Sequence, residues 1–393
     1  MQRRHKSRAT LPSARFILPL ILLYLVLGGV SIRFLWDMES KKDMRFALSF
    51  LQRRRGCGDF FRTRLCSFYL RVVLGILLKL SKGQALDNGI MSSSYFGGTM
   101  NKFLKRLNAG EIMVADGATG SNLQMMGIKP GTPPEDLVMD NPEIILNLAT
   151  SFVEAGSDII LTCTFGGSAL RMQESKYADR VPEVNLRAVE LAQKAASKET
   201  DVLVAGSIGP TGTLMKPFGP MKPEDAFATF AEQAKTLAKG GVDLLVIETM
   251  FAFDETDAAF DGARSVTDLP IVVSISYDRG VATMMGVKPK DVIEKYQEKG
   301  ATLVGANCGT TLENMEKIVN EYAETTPASM LWIKPNAGLP RMDVETGIST
   351  YDVTPEEMGE FAKKYIALGA RVVGGCCGST PEHVAGIAKA VKN

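Results

Sequence analysis

Residues 202–248 read VLVAGSIGPTGTLMKPFGPMKPEDAFATFAEQAKTLAKGGVDLLVIE. The stretch opens on a short apolar run, Val202–Ser207, and passes through a Gly/Pro-rich turn. It then carries apolar residues at helical spacing across Glu224–Lys239, stops at Gly240, and closes on a second apolar run, Leu244–Glu248. Neither run alternates polar with apolar. Continuous burial of both faces is what a strand meets in a parallel sheet covered by helices. One such unit does not choose between an open and a closed sheet; the number of units does.

Working outward, the same alternation fills the chain from Ile112 onward. Strands are predicted at Ile112–Ala115, Ile159–Thr164, Val202–Ser207, Leu244–Glu248, Ile271–Ser276, Leu303–Asn307, Met330–Lys334 and Val372–Gly374. Helices are predicted between them, for example at Pro142–Ala155, Glu183–Ser197, Glu224–Lys239 and Pro355–Leu368. Asp140-Asn141-Pro142, Thr354-Pro355-Glu356-Glu357 and Thr380-Pro381-Glu382 place a capping residue before a first-turn proline and acidic groups. Glycines at 156, 240, 300 and 369 read as helix stops. Eight units in about 290 residues meet the requirement of a closed (β/α)8 TIM barrel. A doubly wound open sheet is the alternative, but Asp116-Gly117-Ala118-Thr119-Gly120 lacks the spacing of a dinucleotide fingerprint.

The net charge of +1 hides two opposed parts. Residues 1–99 carry 17 Lys+Arg against 5 Asp+Glu, and residues 100–393 carry 28 against 39. The barrel part has no basic stripe and is not expected to bind nucleic acid. The domain is therefore read as residues 100–393, preceded by a basic N-terminal extension, poorly structured or helical, over residues 1–99. Within that extension Phe16–Val30 is apolar but shorter than the roughly 20 residues of a bilayer span. Carried on to Trp36, it would be a marginal span. A signal-like segment, a membrane contact through residues 16–36 and an extension outside the working enzyme are the competing readings, the last favoured. Met91 and Met100 could both serve as internal starts, and residues 92–98 have linker composition. Six irregularly spaced cysteines argue against a disulfide framework, so a reducing, cytoplasmic setting is expected, with membrane association as the alternative.

The chemistry concentrates at the predicted strand ends. Asp116-Gly117, Thr162-Cys163-Thr164, Gly209-Pro210-Thr211, Glu248-Thr249, Asn307-Cys308, Pro335-Asn336 and Cys376-Cys377 fall at seven of the eight. In a barrel of this kind active sites are built there. Cys376 and Cys377 lie between glycines 374, 375 and 378, which permit the backbone bend that would aim both sulfurs at one point. Cys308 ends the sixth strand, 68 residues earlier. Three sulfurs and an empty fourth position describe a zinc site that does chemistry. A vicinal disulfide remains open, and an isolated thiol such as Cys163 is ordinarily a small core residue. Asp116 and Glu248 end buried strands, where an unpaired carboxylate is costly. They either pair with a Lys or Arg or hold a substrate ammonium group. Lys334 and Asn336 are candidates to bind a carboxylate or orient a loop. Only His5 and His383 exist, which leaves little room for a histidine base; His383 reads as a helix-surface or capping residue.

The stretches Asp116–Gly120, Glu248-Thr249, Gly305-Ala306-Asn307-Cys308, Pro335-Asn336-Ala337-Gly338 and Gly374–His383 resemble the homocysteine S-methyltransferase family over about residues 103–393. The resemblance implies one Zn2+ per chain on Cys308, Cys376 and Cys377, with the homocysteine sulfur as fourth ligand. It also implies that Asp116 and Glu248 face the amino group and that Gly117, Asn307 and Asn336 line the substrate site. The expected reaction is methyl transfer to that thiol, giving methionine. The donor would be a small molecule (S-methylmethionine, S-adenosylmethionine or a betaine-like compound) or a methylcorrinoid on a separate protein. Residues 131–134 lack the Trp of a betaine cage, which turns the expectation toward corrinoid or sulfonium donors; with no cobalamin domain after Asn393, a corrinoid route is expected to need a separate corrinoid protein. Cys163 stands where many members have Asn, putting a fourth thiol near the rim; were it to join the other three, the vacancy would close. Another methyl acceptor, such as a corrinoid in a demethylation pathway, and a non-catalytic, membrane-tethered zinc-binding interaction protein are the alternatives.

Overall fold

The computed structural model describes residues 100–327 and 330–392. The expectations for residues 1–99 (anchor, targeting segment, linker) lie outside the described residues. Ten strands are seen within them: β1 Met113–Val114, β2 Ile159–Leu161, β3 Leu203–Ile208, β4 Leu244–Met250, β5 Ile271–Ile275, β6 Leu303–Asn307, β7 Leu331–Lys334, β8 Arg341–Met342, β9 Ser349–Thr350 and β10 Ala370–Val373. Eight of these pair in parallel in the order β1-β10-β7-β6-β5-β4-β3-β2. A parallel bridge between Ala115 and Ile159 joins β1 to β2. Asp158 N–H donates to Val114 O at 2.7 Å and Asp116 N–H to Ile159 O at 3.0 Å, so the sheet closes on itself. The open doubly wound alternative is thereby excluded. Strands β8 and β9 form a separate antiparallel hairpin after β7.

Two apolar clusters explain why the strand runs do not alternate. Met113, Ala115, Ile159, Leu203, Ala205, Leu244, Val246, Val272, Leu303, Trp332 and Val372 fill the barrel interior. Their neighbours, among them Val114, Ile160, Val204, Leu245, Val273, Val304, Ile333 and Val373, pack outward against the helices. Followed two residues at a time, the inward positions pass from this apolar layer to Ser207, Glu248, Ser274, Asn307 and Lys334. A polar layer therefore lies above an apolar plug. Gly305 lies against the backbone of Trp332 on the neighbouring β7: a Cβ there would stand 1.7 Å from the Trp332 carbonyl oxygen.

A short helix, α1 Lys102–Asn108, was not read from the sequence; seven residues carry too little periodicity. It packs Phe103 and Leu107 into the interior cluster, and the Asn101 amide donates to Asp243 O at 2.8 Å, at the foot of β4. The N-terminal end of the barrel is thus closed, leaving the C-terminal mouth for chemistry. The predicted helix signals hold with two adjustments. Thr354 and Glu357 form the reciprocal cap of the helix Pro355–Ala367, whereas the Asn141 side chain caps nothing. The left-handed stop of the helix Pro223–Gly240 is Gly241, at φ 89°; Gly240 ends the helix and packs against Val189. No helix among the described residues is long and apolar enough to cross a membrane.

Candidate metal and substrate site

Cys308 follows the last residue of β6 with φ 59°, a left-handed conformation costly for a residue with a side chain. Its N–H reaches Lys334 O at 3.2 Å, and Gly309 continues the turn at φ 76°. The loop after β10 carries the other two thiols. Cys376 N–H donates to Pro335 O at 2.7 Å, and Cys377 O accepts from Ala337 N–H at 2.9 Å. The glycines around the pair divide their work differently from the sequence expectation. Only Gly378 turns left-handed, at φ 79°. Gly374 and Gly375 are small because Cβ atoms there would stand 2.8 Å from Ala115 O and 2.3 Å from the Ser379 side chain.

The result is convergence. The sulfurs of Cys308, Cys376 and Cys377 lie within 4.8 Å of one another, the single such group of potential metal ligands among the described residues. Cys308 Sγ and Cys377 Sγ are 3.6 Å apart. Two sulfurs on a tetrahedral metal at 2.3 Å would be about 3.8 Å apart, so the spacing fits. The chemistry of the donor set fits as well. At Cys308 the hydrogen bond with Cys376 favours ionisation, but the one with Cys377, burial and the Cys377 charge outweigh it, and the thiol is pushed up to about 12. Cys377 also reaches about 12: the hydrogen bond with Cys308 lowers it, while contacts with Cys376 and burial raise it. Cys376 is raised by its hydrogen bond with Cys308, by burial and by the Cys308 charge, which outweigh a lowering bond with Cys377. Such a trio resists ionisation until a cation joins it. Asn336, between the two residues that hold the cysteine pair, has a buried Oδ1 without a partner among the described residues.

Cys163 does not join them. It faces outward into the barrel–helix packing, where burial and the nearby Glu135 push its thiol up. Thr162 and Thr164 hydrogen-bond each other at 2.6 Å and clasp Ser207 on β3. The four-sulfur arrangement is therefore absent among the described residues. Glu135, which the sequence reading passed over, is buried and receives the Gly166 N–H at 2.6 Å; burial raises its carboxyl.

The acidic pair separates into two environments. Asp116 Oδ1 takes Lys334 Nζ at 2.6 Å and Oδ2 takes the Leu161 N–H at 2.7 Å, so each oxygen already has a donor. Glu248 is buried too but, among the described residues, holds only the Ser207 hydroxyl, at 2.6 Å on Oε1. Burial raises its carboxyl above the usual range, with Lys334 and the Ser207 bond pulling the other way. At Lys334 burial favours the neutral amine, but Asp116 and Glu248 outweigh it, and the ammonium is held. Two carboxylates and one ammonium leave the pocket short of one positive charge.

Asn307 is a hub. Its Oδ1 accepts from Ser274 Oγ at 2.6 Å and Thr249 N–H at 3.0 Å, and its Nδ2 reaches Thr249 Oγ1 at 2.7 Å and Cys376 Sγ at 3.6 Å. Thr249 itself sits at φ 61°. One amide thus joins β4, β5 and β6 to the cysteine loop. Gly117 is required sterically: a Cβ there would stand 2.5 Å from Ser379 O and 2.6 Å from the Phe152 ring. His383 is a latch, with Nε2 on Val353 O at 2.8 Å and Nδ1 on the Thr380 N–H at 3.2 Å.

A closed (β/α)8 barrel thus carries at its mouth three thiols that could hold a metal ion and a half-satisfied buried carboxylate. The chain belongs to the homocysteine S-methyltransferase family, whose sequence model matches residues 113–391. A methionine synthase of Mycobacterium leprae (strain TN) is 27% identical over 303 residues, covering 72% of this chain and 24% of that protein. The chain therefore spans about a quarter of the length of that curated relative. Among solved structures, the metallated form of the homocysteine methyltransferase MmuM from Escherichia coli superposes with TM-score 0.62 at 22% identity, over 74% of this chain and 99% of that one. Its apo form gives 0.57 at 21% identity, over 74% and 100%. These likenesses bear on the fold.

Proposed function

We propose that the barrel transfers a methyl group to the sulfur of homocysteine, with one zinc ion held by Cys308, Cys376 and Cys377. The observation that carries this reading is the placement of three convergent sulfurs beside Glu248, a buried carboxylate with one oxygen still to be matched. A bound zinc ion supplies the means of deprotonating the substrate thiol, whose ordinary pKa of about 8.5 leaves it mostly protonated at neutral pH.

The chain's own residues do the rest. Glu248 receives the ammonium of homocysteine, and Lys334 neutralises Asp116 so that the pocket accepts a single positive charge. Asn307, through Thr249 and Cys376, keeps the amino-acid pocket and the sulfur cluster in register. Asn336 and the Gly117 backbone line the same mouth. No protein base is called for, in keeping with the locked His383. Methyl transfer forms one C–S bond and breaks the bond from the methyl carbon to its donor, a sulfonium, a betaine-like ammonium or a methylcorrinoid carried by a separate protein. Residues 100–393 form the working unit and residues 1–99 are dispensable.

Methionine formation from homocysteine, measured with each donor in turn on zinc-loaded protein, tests the reading. Methionine with one donor class and none without zinc is expected; methylation of a different acceptor in preference to homocysteine would sink it. A chain beginning at Met100 should fold and turn over like the full chain.

A further inference from the structure

The loop that carries Cys376 and Cys377 is fastened on two sides. Toward β7 it uses the bonds of Cys376 N–H to Pro335 O and of Ala337 N–H to Cys377 O. Toward β1 it meets the turn and the short helix that follow that strand. Gly375 N–H donates to Asp116 O at 3.0 Å, and Ala118 N–H to Ser379 O at 3.1 Å. The helix Thr119–Met125 then supplies two consecutive side chains. Ser121 Oγ accepts from Gly378 N–H at 3.0 Å, and Asn122 Nδ2 donates to Ser379 O at 2.9 Å.

The two cysteines are not held alike. Cys376 has backbone partners on both its groups: its N–H donates to Pro335 O, and its carbonyl accepts from Ser379 N–H at 3.0 Å. Beyond Cys377 the arrangement changes. The Cys377 carbonyl and the Gly378 N–H belong to one rigid peptide plane. Ala337 N–H holds the oxygen edge of that plane at 2.9 Å, and Ser121 Oγ holds its N–H edge. Gly375, Cys376 and Ser379 all donate to backbone carbonyls, so Gly378 is the donor in this loop that depends on a side chain. Gly378 sits at φ 79°, and a glycine lets the plane before it rotate at little steric cost. The plane that leads out of Cys377 therefore needs both of its edges fixed.

We infer that Ser121 is a positioning residue of the candidate metal centre: by accepting the Gly378 N–H it fixes the peptide plane that aims the Cys377 sulfur at Cys308 and Cys376. This rests on the metal-centre reading of the three cysteines. Groups that hold a ligand in place set metal affinity without touching the metal. Ser121 lies five residues after Asp116, so the segment that supplies the buried carboxylate also steadies a sulfur.

Zinc-loaded and cobalt(II)-substituted full-length protein tests this. Ser121→Ala removes the acceptor and keeps a good helix former in the helix. It should still take one metal per chain, with zinc affinity in a chelator competition about fivefold lower, as loss of one ordinary hydrogen bond implies. The sulfur-to-cobalt charge-transfer bands should change, because one sulfur is less well placed. Iodoacetamide should alkylate Cys377 in the zinc-loaded protein about fivefold faster, with Cys308 unchanged. Ser121→Thr keeps the hydroxyl and should return all three readouts to wild type. Ser121→Ala that matches wild type, or Ser121→Thr as impaired as Ser121→Ala, overturns the role of Ser121 and leaves the metal centre standing. Equal acceleration at Cys308 and Cys377 shows general loosening and overturns it too. Failure of the wild-type chain to bind zinc or cobalt overturns the metal centre itself.

Discussion

Replacing Lys334 with methionine removes the ammonium from a carboxylate that is 4% exposed and 2.6 Å away. At an effective dielectric of about 20, a pair at that distance interacts by roughly 6 kcal/mol before desolvation is counted. Several kcal/mol of desolvation per ion offset most of that, yet removing one partner leaves the other charge buried, which costs about 3–5 kcal/mol. Asp116→Asn strands Lys334 in the same way. The double variant, Asp116→Asn with Lys334→Met, strands neither: the asparagine oxygen still accepts the Leu161 N–H, and the methionine fills the space of the lysine stem. Its loss should be nearer about 1–2 kcal/mol, a coupling energy of several kcal/mol. Urea unfolding followed by circular dichroism on the four proteins measures it. Single variants that each lose less than about 1 kcal/mol, or a double variant whose loss equals their sum, would refute the pairing. Asp116 would then be free for substrate. Conversely, if the pairing holds, homocysteine should stabilise Lys334→Met more than wild type, because the substrate ammonium can take the vacated carboxylate.

Cys308→Ala, Cys376→Ala and Cys377→Ala should each reduce bound zinc from one per chain to a small fraction of that after dialysis; unchanged metal content by atomic emission would remove the three-sulfur site. Glu248→Gln should weaken homocysteine binding about 10- to 100-fold by calorimetry, the scale of one hydrogen bond to a charged group. The same variant tests a pH dependence. Burial raises the folded carboxyl of Glu248 above its unfolded value of about 4.3, so the folded chain binds that proton more tightly and wild type loses stability as pH rises between the two values. Glu248→Gln should therefore melt like wild type near pH 4 and above it at neutral pH; the reverse order contradicts the burial argument. Gly378→Ala places a Cβ in the left-handed region and 2.2 Å from the Tyr351 ring. It should cost more than about 1 kcal/mol and loosen metal binding in a chelator competition.

Most of the barrel was legible in the sequence because both faces of each strand are buried. β6 begins and ends where its apolar run does, at Leu303 and Asn307, and β5 differs from expectation by one residue. β1 and β2 shrink to two and three residues, and at their ends the side chains of Asp116, Thr162 and Thr164 make contacts to neighbouring strands in addition to the backbone bonds. The cysteines were legible through their glycines, although the reason assigned to Gly374 and Gly375 was too general: they permit close approach, not a bend. The short helix α1 and Glu135 gave no periodic or motif signal.

By itself the sequence determined the element order, the parallel sheet and the chemical inventory of the mouth, because these follow from local periodicity and from which residue types end each strand. Tertiary structure alone decided how that inventory is shared. Asp116 and Glu248 are equivalent strand-end carboxylates in the sequence, yet one is matched by an ammonium 218 residues away and the other is left with a single hydroxyl. Cys163 and Cys308 are both thiols just beyond a strand, and irregular backbone at the strand ends turns one outward and the other toward Cys377. The Tyr351 ring meets Gly378, next to Cys377, from a loop that the Val353 N–H to Ala337 O bond closes. Pairing across a barrel depends on ångström distances between segments far apart in the chain, and local spacing carries no information about those distances.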